Sequence, residues 1–176
     1  MSQTIDRRNT PVQLIINSAV ETTLYTFSVP ANTIGTTGIL SGRAVFTYRQ
    51  SSGVNQTITI REKWGGTTQI DDVSIVVPAA ADLTDLRSLI IDFEIAGANA
   101  TNAQRMATRL EISAIRASTA GTSGDWGTVP LMPPSTITAQ ATIDQTAART
   151  LEITAQLSAA TATQFVNLQY AYLQKL

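Results

Sequence analysis

Two alternating runs between Thr150 and Tyr172 constrain this chain more than any other feature. In the first, Leu151, Ile153, Ala155 and Leu157 fall on one side, and Thr150, Glu152, Thr154 and Gln156 on the other. In the second, Val166, Leu168, Tyr170 and Tyr172 share a face opposite Asn167, Gln169 and Ala171. Successive side chains of a strand point to opposite faces, so a period of two over this length predicts a sheet with one buried face. The linker between the runs, Ser158-Ala159-Ala160-Thr161-Ala162-Thr163, holds no aromatic, charged or large aliphatic residue.

The same pattern recurs upstream. Val12–Asn17 predicts a short strand. Glu21–Val29 carries Tyr25, Phe27 and Val29 on one face and ends at Pro30-Ala31-Asn32. Ile39–Gln50 places Ala44, Phe46 and Tyr48 together. Asn55–Trp64 turns Ile58, Ile60 and Trp64 inward and Thr57, Thr59, Arg61 and Lys63 outward. Gly65-Gly66 then predicts a tight turn with positive φ. Thr67–Val77 continues to Pro78. Ser88–Ala96 aligns Leu89, Ile91, Phe93 and Ile95, and Gly97-Ala98-Asn99 predicts the next turn. Met106–Arg116 faces Met106, Leu110, Ile112 and Ala114 inward, and Ile137–Ile143 leads into the terminal pair. Residues 79–87 predict at most one short helix, with Asp82 as its cap. Residues 121–134, with three glycines and three prolines, predict a long loop. About nine strands with no long helix predict an all-β, antiparallel β-sandwich or barrel. Residues 1–10 are polar and without periodicity, predicting a flexible N-terminal arm before one domain over 11–176.

At 176 residues, a chain buries roughly 70% of its unfolded surface, enough for a core without staples. There is no cysteine and no histidine. Disulfides, thiolate metal sites and cysteine nucleophiles are thereby excluded, together with the commonest general base and transition-metal ligand. A net charge of −1 gives no field to steer the chain to nucleic acid or to an anionic membrane. Only 14% of residues are charged, against about 25% in typical soluble domains. Thr, Ser, Gln, Asn and Ala must cover the surface instead. A Thr-rich extracellular type of β domain and a surface buried in an assembly both fit that deficit. No run is long and apolar enough for a secretory signal or a bilayer span, so a soluble chain made in the cytoplasm is expected.

Candidate chemistry is sparse. Asp71 and Asp72 are adjacent and would point to opposite faces of a strand. Asp92 and Glu94 do share a face, outward of the Leu89–Ile91–Phe93 stripe, where a solvated surface is the ordinary reading. Asp82 and Asp85 are too few for calcium. The glycines at 121, 124 and 127 lack the lysine and helix of a phosphate-binding loop. Arg105, Arg109 and Arg116 form no basic stripe interleaved with aromatics. The sequons at Asn55 and Asn99 are expected by chance in a Thr-rich chain. No catalytic residue, metal site or cofactor is therefore expected. Trp64, at a strand end, and Trp126, in the Gly/Pro loop, are candidate partner contacts; packing over the end of the sandwich is the competing role. Arg7 and Arg8 could pair with carboxylates of a neighbouring protein.

Three segments carry a resemblance: Glu21–Gly35, Thr57–Thr68, and the run from Asp144 through Ala160. In this order they resemble the jelly-roll domains of tailed-phage virion proteins. The resemblance implies a jelly-roll sandwich, common trimeric assembly and no catalytic motif. It also implies one of two settings, a capsid decoration or head-fibre protein, or a tail-fibre module. With only a short arm and no shaft here, the first expectation is a homotrimeric decoration protein that binds the major capsid protein on the capsid exterior and stabilises the shell. The second is a tail module recognising a host surface glycan or protein; an enzyme acting on polysaccharide is a third class. A cluster of aromatics and carboxylates in one exposed groove would favour the second or third. No nucleic-acid or membrane partner is expected.

Overall fold

The computed structural model of the chain describes residues 3–8, 13–50, 56–68, 73–77, 87–114 and 136–176. Of the expected helix over 79–87 only Arg87 is described, and it opens the strand Arg87–Ala100; the rest of that segment and the loop at 121–134, with Trp126, lie outside the described residues. The strands are β1 (Gln3–Arg8), β2 (Gln13–Ile16), β3 (Thr22–Val29), β4 (Ile39–Gln50), β5 (Gln56–Trp64), β6 (Thr67–Thr68), β7 (Val73–Val77), β8 (Arg87–Ala100), β9 (Ala103–Ala114), β10 (Thr136–Ala141), β11 (Arg149–Leu157) and β12 (Gln164–Lys175). All pairings among them are antiparallel.

Two sheets result. The larger runs β1-β12-β4-β8-β9-β10, with β2 also on β12; the smaller runs β3-β11-β5-β6, with β7 also on β5. Within them β2-β12-β4-β8 and β3-β11-β5-β7 face each other, and the chain alternates between them as two Greek keys do. That is the jelly-roll arrangement. Strands β9 and β10 widen the larger sheet beyond it.

The inward faces match the alternation. Phe27, Ile58, Ile60, Leu151, Ile153 and Leu157 of the smaller sheet meet Phe46, Leu89, Ile91, Phe93 and Leu168 of the larger, all fully buried. Phe27 and Phe93 bridge the layers with ring centroids 6.1 Å apart. Gly65 and Gly66 take φ of 62° and 82° between paired Trp64 and Thr67, a two-residue hairpin turn that only such residues form without strain. The Asp144 carboxylate accepts the Thr146 amide at 2.9 Å, closing the turn before β11.

Three expectations are corrected, and a fourth is met only in part. First, Gln3–Arg8 is not a free arm. It pairs with the far end of β12, where it satisfies backbone groups that an edge would leave bare. Second, Gly97–Asn99 is a bulge inside β8, not the reversal. Asn99 takes φ 66°, and the chain turns at Thr101–Asn102, between paired Ala100 and Ala103.

Third, β12 does not keep its alternation. Its register to β4 slips between Leu168 and Tyr170, so Gln169 is an extra residue. Beyond that bulge the inward positions pass to Ala171 and Leu173, both buried, while Tyr170 and Tyr172 turn to the outer face. Tyr170 is 37% exposed. Fourth, Thr154 faces outward as expected but is only 2% exposed. It lies under Glu21, whose Oε1 accepts the Thr154 hydroxyl at 2.6 Å and Lys63 Nζ at 2.6 Å. Arg61 reaches the other Glu21 oxygen at 3.3 Å. The ammonium of Lys63, first, and the Thr154 hydroxyl hold the Glu21 carboxyl below its ordinary range.

Candidate functional site

The outer face of the larger sheet carries a groove of about 410 Å³ lined by Ser41, Arg43, Asp92, Glu94, Ala107, Arg109 and Tyr172. Its size lies within the usual span of small-ligand clefts, about 300–1,000 Å³. Register explains its shape. Arg7, Tyr172, Arg43, Asp92 and Arg109 stand directly opposite one another across β1, β12, β4, β8 and β9. Directly opposed residues share a face, so this is one transverse row of long side chains. The neighbouring row is Ser41, Glu94 and Ala107. Two of its three side chains are short, and the step between the rows is the groove.

Beneath the floor lies Gly42, buried on β4. A Cβ there would run into the Phe93 ring and come within 2.7 Å of the Tyr172 carbonyl oxygen. Glycine at this position leaves the space that the Phe93 ring occupies between β4 and its neighbours.

Arg43 and Asp92 form a two-point ion pair. Nε donates to Oδ1 at 2.5 Å and Nη2 to Oδ2 at 3.0 Å. Both carboxylate oxygens of Asp92 are therefore engaged. That pairing, with Tyr172 and Tyr170 close enough to add to it, raises the Arg43 pKa further above its ordinary value. The guanidinium stays charged and fixed in direction. Glu94 and Arg109 are exposed, and neither makes an ion pair among the described residues.

A second polar feature lies inside the sandwich. Glu62 occupies an inward position of β5 between Ile60 and Trp64 and is 2% exposed. Its Oε2 accepts the Thr108 hydroxyl of β9 at 2.9 Å, while Oε1 has no hydrogen bond. Burial, only partly opposed by Thr108, pushes its pKa up to about 8. At neutral pH Glu62 is a neutral carboxylic acid tying the two sheets together.

Of the residues singled out in the sequence, Arg7 falls on the transverse row and is exposed. Arg8 sits one position along β1, opposite Ala171. Trp64 is corrected: it is 0% exposed, packed into the core at the end of β5, and cannot meet a partner. Trp126 lies outside the described residues. Nothing in the sequence marks Tyr172, Arg43 and Arg109 as a set, because their proximity depends on strand order and on the β12 bulge. Asp92 and Glu94 do lie on the outer face, as their parity on β8 predicts, but their neighbours could not be read. Among the described residues, no group of three His, Cys, Asp or Glu side chains could hold a metal ion. No helix there is long and apolar enough to cross a membrane.

No protein-family model matches this sequence, and no curated protein matches it either. Among solved structures, the chain is similar to the CBM2 module of the evolved Dit of Lactobacillus casei BL23 phage J-1. The identity is 8% and the TM-score 0.44, over 98% of this chain and 95% of that one. It is similar to peanut lectin at 7% identity and a TM-score of 0.40, over 100% and 98% of the two chains. It is also similar to a protein of the infectious bursal disease virus Gx strain, at 14% identity and a TM-score of 0.28, over 100% of this chain and 40% of that one.

Proposed function

We propose that this chain is a non-catalytic recognition module of a tailed-phage virion, and that the outer face of its larger sheet is the binding face. The carrying observation is the groove itself. It brings Tyr172, Arg43, Asp92, Glu94 and Arg109 together on one exposed surface. An aromatic ring beside fixed donors and acceptors is what recognition of a polyhydroxylated ligand requires. The three segments resembling phage jelly-roll proteins supply the virion setting.

The arrangement speaks for binding over hydrolysis. Glycosidic cleavage uses one protonated and one free carboxyl across the scissile bond. Asp92 has each oxygen hydrogen-bonded to Arg43, a geometry that suits a fixed acceptor better than a free catalytic carboxyl. Glu62, the carboxyl that does hold a proton, lies inside the sandwich.

Capsid decoration is the second reading, favoured by the smaller sheet. Its outer face presents Thr26, Ser28, Thr57, Thr59 and Thr150, and its acidic Glu21 is neutralised by Lys63 and Arg61. Such a face loses little on burial against a shell or a second copy.

Host cells preincubated with excess purified chain separate the readings. Recognition predicts that particles bearing the protein no longer adsorb, and that a Tyr172→Ala, Arg43→Ala double variant does not block them. Unimpaired adsorption, combined with binding of the chain to assembled shells and a raised rupture temperature, would replace recognition by decoration.

A further inference from the structure

Resting on the recognition reading above, we infer that the groove takes an uncharged pyranose sugar, not an acidic one. Charge and shape both select it. The walls carry two cations, Arg43 and Arg109, and two anions, Asp92 and Glu94. Arg43 and Asp92 offset each other's charge through two hydrogen bonds, and their remaining N–H groups and lone pairs stay available to a ligand. What remains is one exposed carboxylate and one exposed guanidinium, each without an ion pair among the described residues. A carboxylated or sulfated sugar would gain Arg109 but would bring its charge to a groove that also holds Glu94 and Asp92. A neutral sugar meets no such conflict.

Each sugar hydroxyl both donates and accepts. Glu94 accepts only, Arg109 donates only, and Ser41 does either, so neighbouring hydroxyls on one ring can satisfy all three. Charged partners make these hydrogen bonds stronger than neutral ones would. The short side chains of Ser41 and Ala107 flank Glu94 on its two sides, leaving its carboxylate open to the groove. Tyr172, half-buried at the other margin, supplies an aromatic face for the C–H face of the ring. Tyr170 stands two residues away on the same outer face of β12, about 7 Å along the strand. It extends the aromatic margin for the next unit of a chain.

The test is affinity electrophoresis of the purified full chain in gels containing dextran, mannan, galactan, polygalacturonate or chondroitin sulfate. The expected result is retardation by at least one of the three neutral polymers. That retardation should change by less than about twofold between about 50 and about 500 mM NaCl, since no ligand charge is there to be screened. It should be abolished in Tyr172→Ala, or in Tyr172→Leu if the alanine variant does not fold. Glu94→Gln should weaken it about tenfold, because a charge-assisted hydrogen bond is lost. Retardation by the acidic polymers alone, weakened by salt and strengthened in Glu94→Gln, would overturn the neutral-sugar inference and leave recognition standing. Retardation by none of the five would also overturn the neutral-sugar inference, and the adsorption assay then decides whether recognition stands.

Discussion

Replacing Glu62 by glutamine should make the protein more stable in mild alkali and nearly abolish one component of its pH dependence. Folded Glu62 keeps its proton to about pH 8, whereas in the unfolded chain it is released near 4.5. Between those values folding takes up a proton, so stability falls as pH rises. The contribution of this group is whole below pH 4.5 and is lost by the time pH passes 8. A tenfold change in proton affinity is worth about 1.4 kcal/mol, so the full span is on the order of 5 kcal/mol. That approaches the entire net stability of many domains, about 5–15 kcal/mol. Glutamine is isosteric and cannot ionise. Its carbonyl oxygen can still accept the Thr108 hydroxyl, while its amide takes the place of the unpartnered Oε1. An unsatisfied buried amide costs about 1–3 kcal/mol, but that cost does not vary with pH. The diagnostic is therefore the slope, not the offset. Urea unfolding of both proteins at about pH 4.5, 6, 7 and 8.5 would show it: the native protein should lose several kcal/mol across the series relative to Glu62→Gln. Parallel stability curves would refute the reasoning, and would mean that folded Glu62 titrates near its ordinary range.

Gly42→Ala should lower stability by about 1–3 kcal/mol, because the methyl group overpacks the space held by Phe93 and the Tyr172 carbonyl; an unchanged urea midpoint would show that the ring yields freely. Ile153→Asp and Leu168→Asp should abolish folding, since each places an unpaired charge where no water reaches, at a cost of several kcal/mol. Thr154→Asp should destabilise too, although it points outward, because its carboxylate would meet Glu21 under cover; circular dichroism of Thr154→Asp against Thr154→Ser separates charge from packing. The chain should also sediment as a homotrimer at micromolar concentration, and a monomer both there and on the virion would remove the trimer expectation.

Much of the sandwich was legible because alternation maps directly onto burial. Leu151, Ile153, Ala155 and Leu157 are all inward and fully covered, as are Leu89, Ile91, Phe93 and Ile95. Three kinds of feature were not legible. The Gln169 bulge leaves no local mark, since one extra residue changes register only relative to β4. Glu62 has inward parity on β5, but a carboxylate in a core stripe contradicts its hydropathy, and only the Thr108 hydroxyl from a strand far along the sequence makes the position tolerable. The groove was invisible because Tyr172, Arg43, Asp92 and Arg109 come from four strands whose side-by-side order is a property of the Greek keys, not of any one segment. What could be read was the outward parity of Asp92 and Glu94. Missing was the information that a tyrosine would stand beside them.

The bulge on β12 also bears on how such a surface tolerates a change in chain length. A strand holding Tyr170 and Tyr172 in unbroken alternation after Leu168 would place both rings in the interior, where Ala171 and Leu173 now sit. Deleting the extra residue Gln169 would not return them there: Tyr170 would still lie opposite Val45 and Ala171 opposite Ala44, now in a regular strand. The bulge therefore acts as a length buffer. It absorbs one residue in the middle of a central strand while the aromatic outer face and the aliphatic inner face beyond it keep their places.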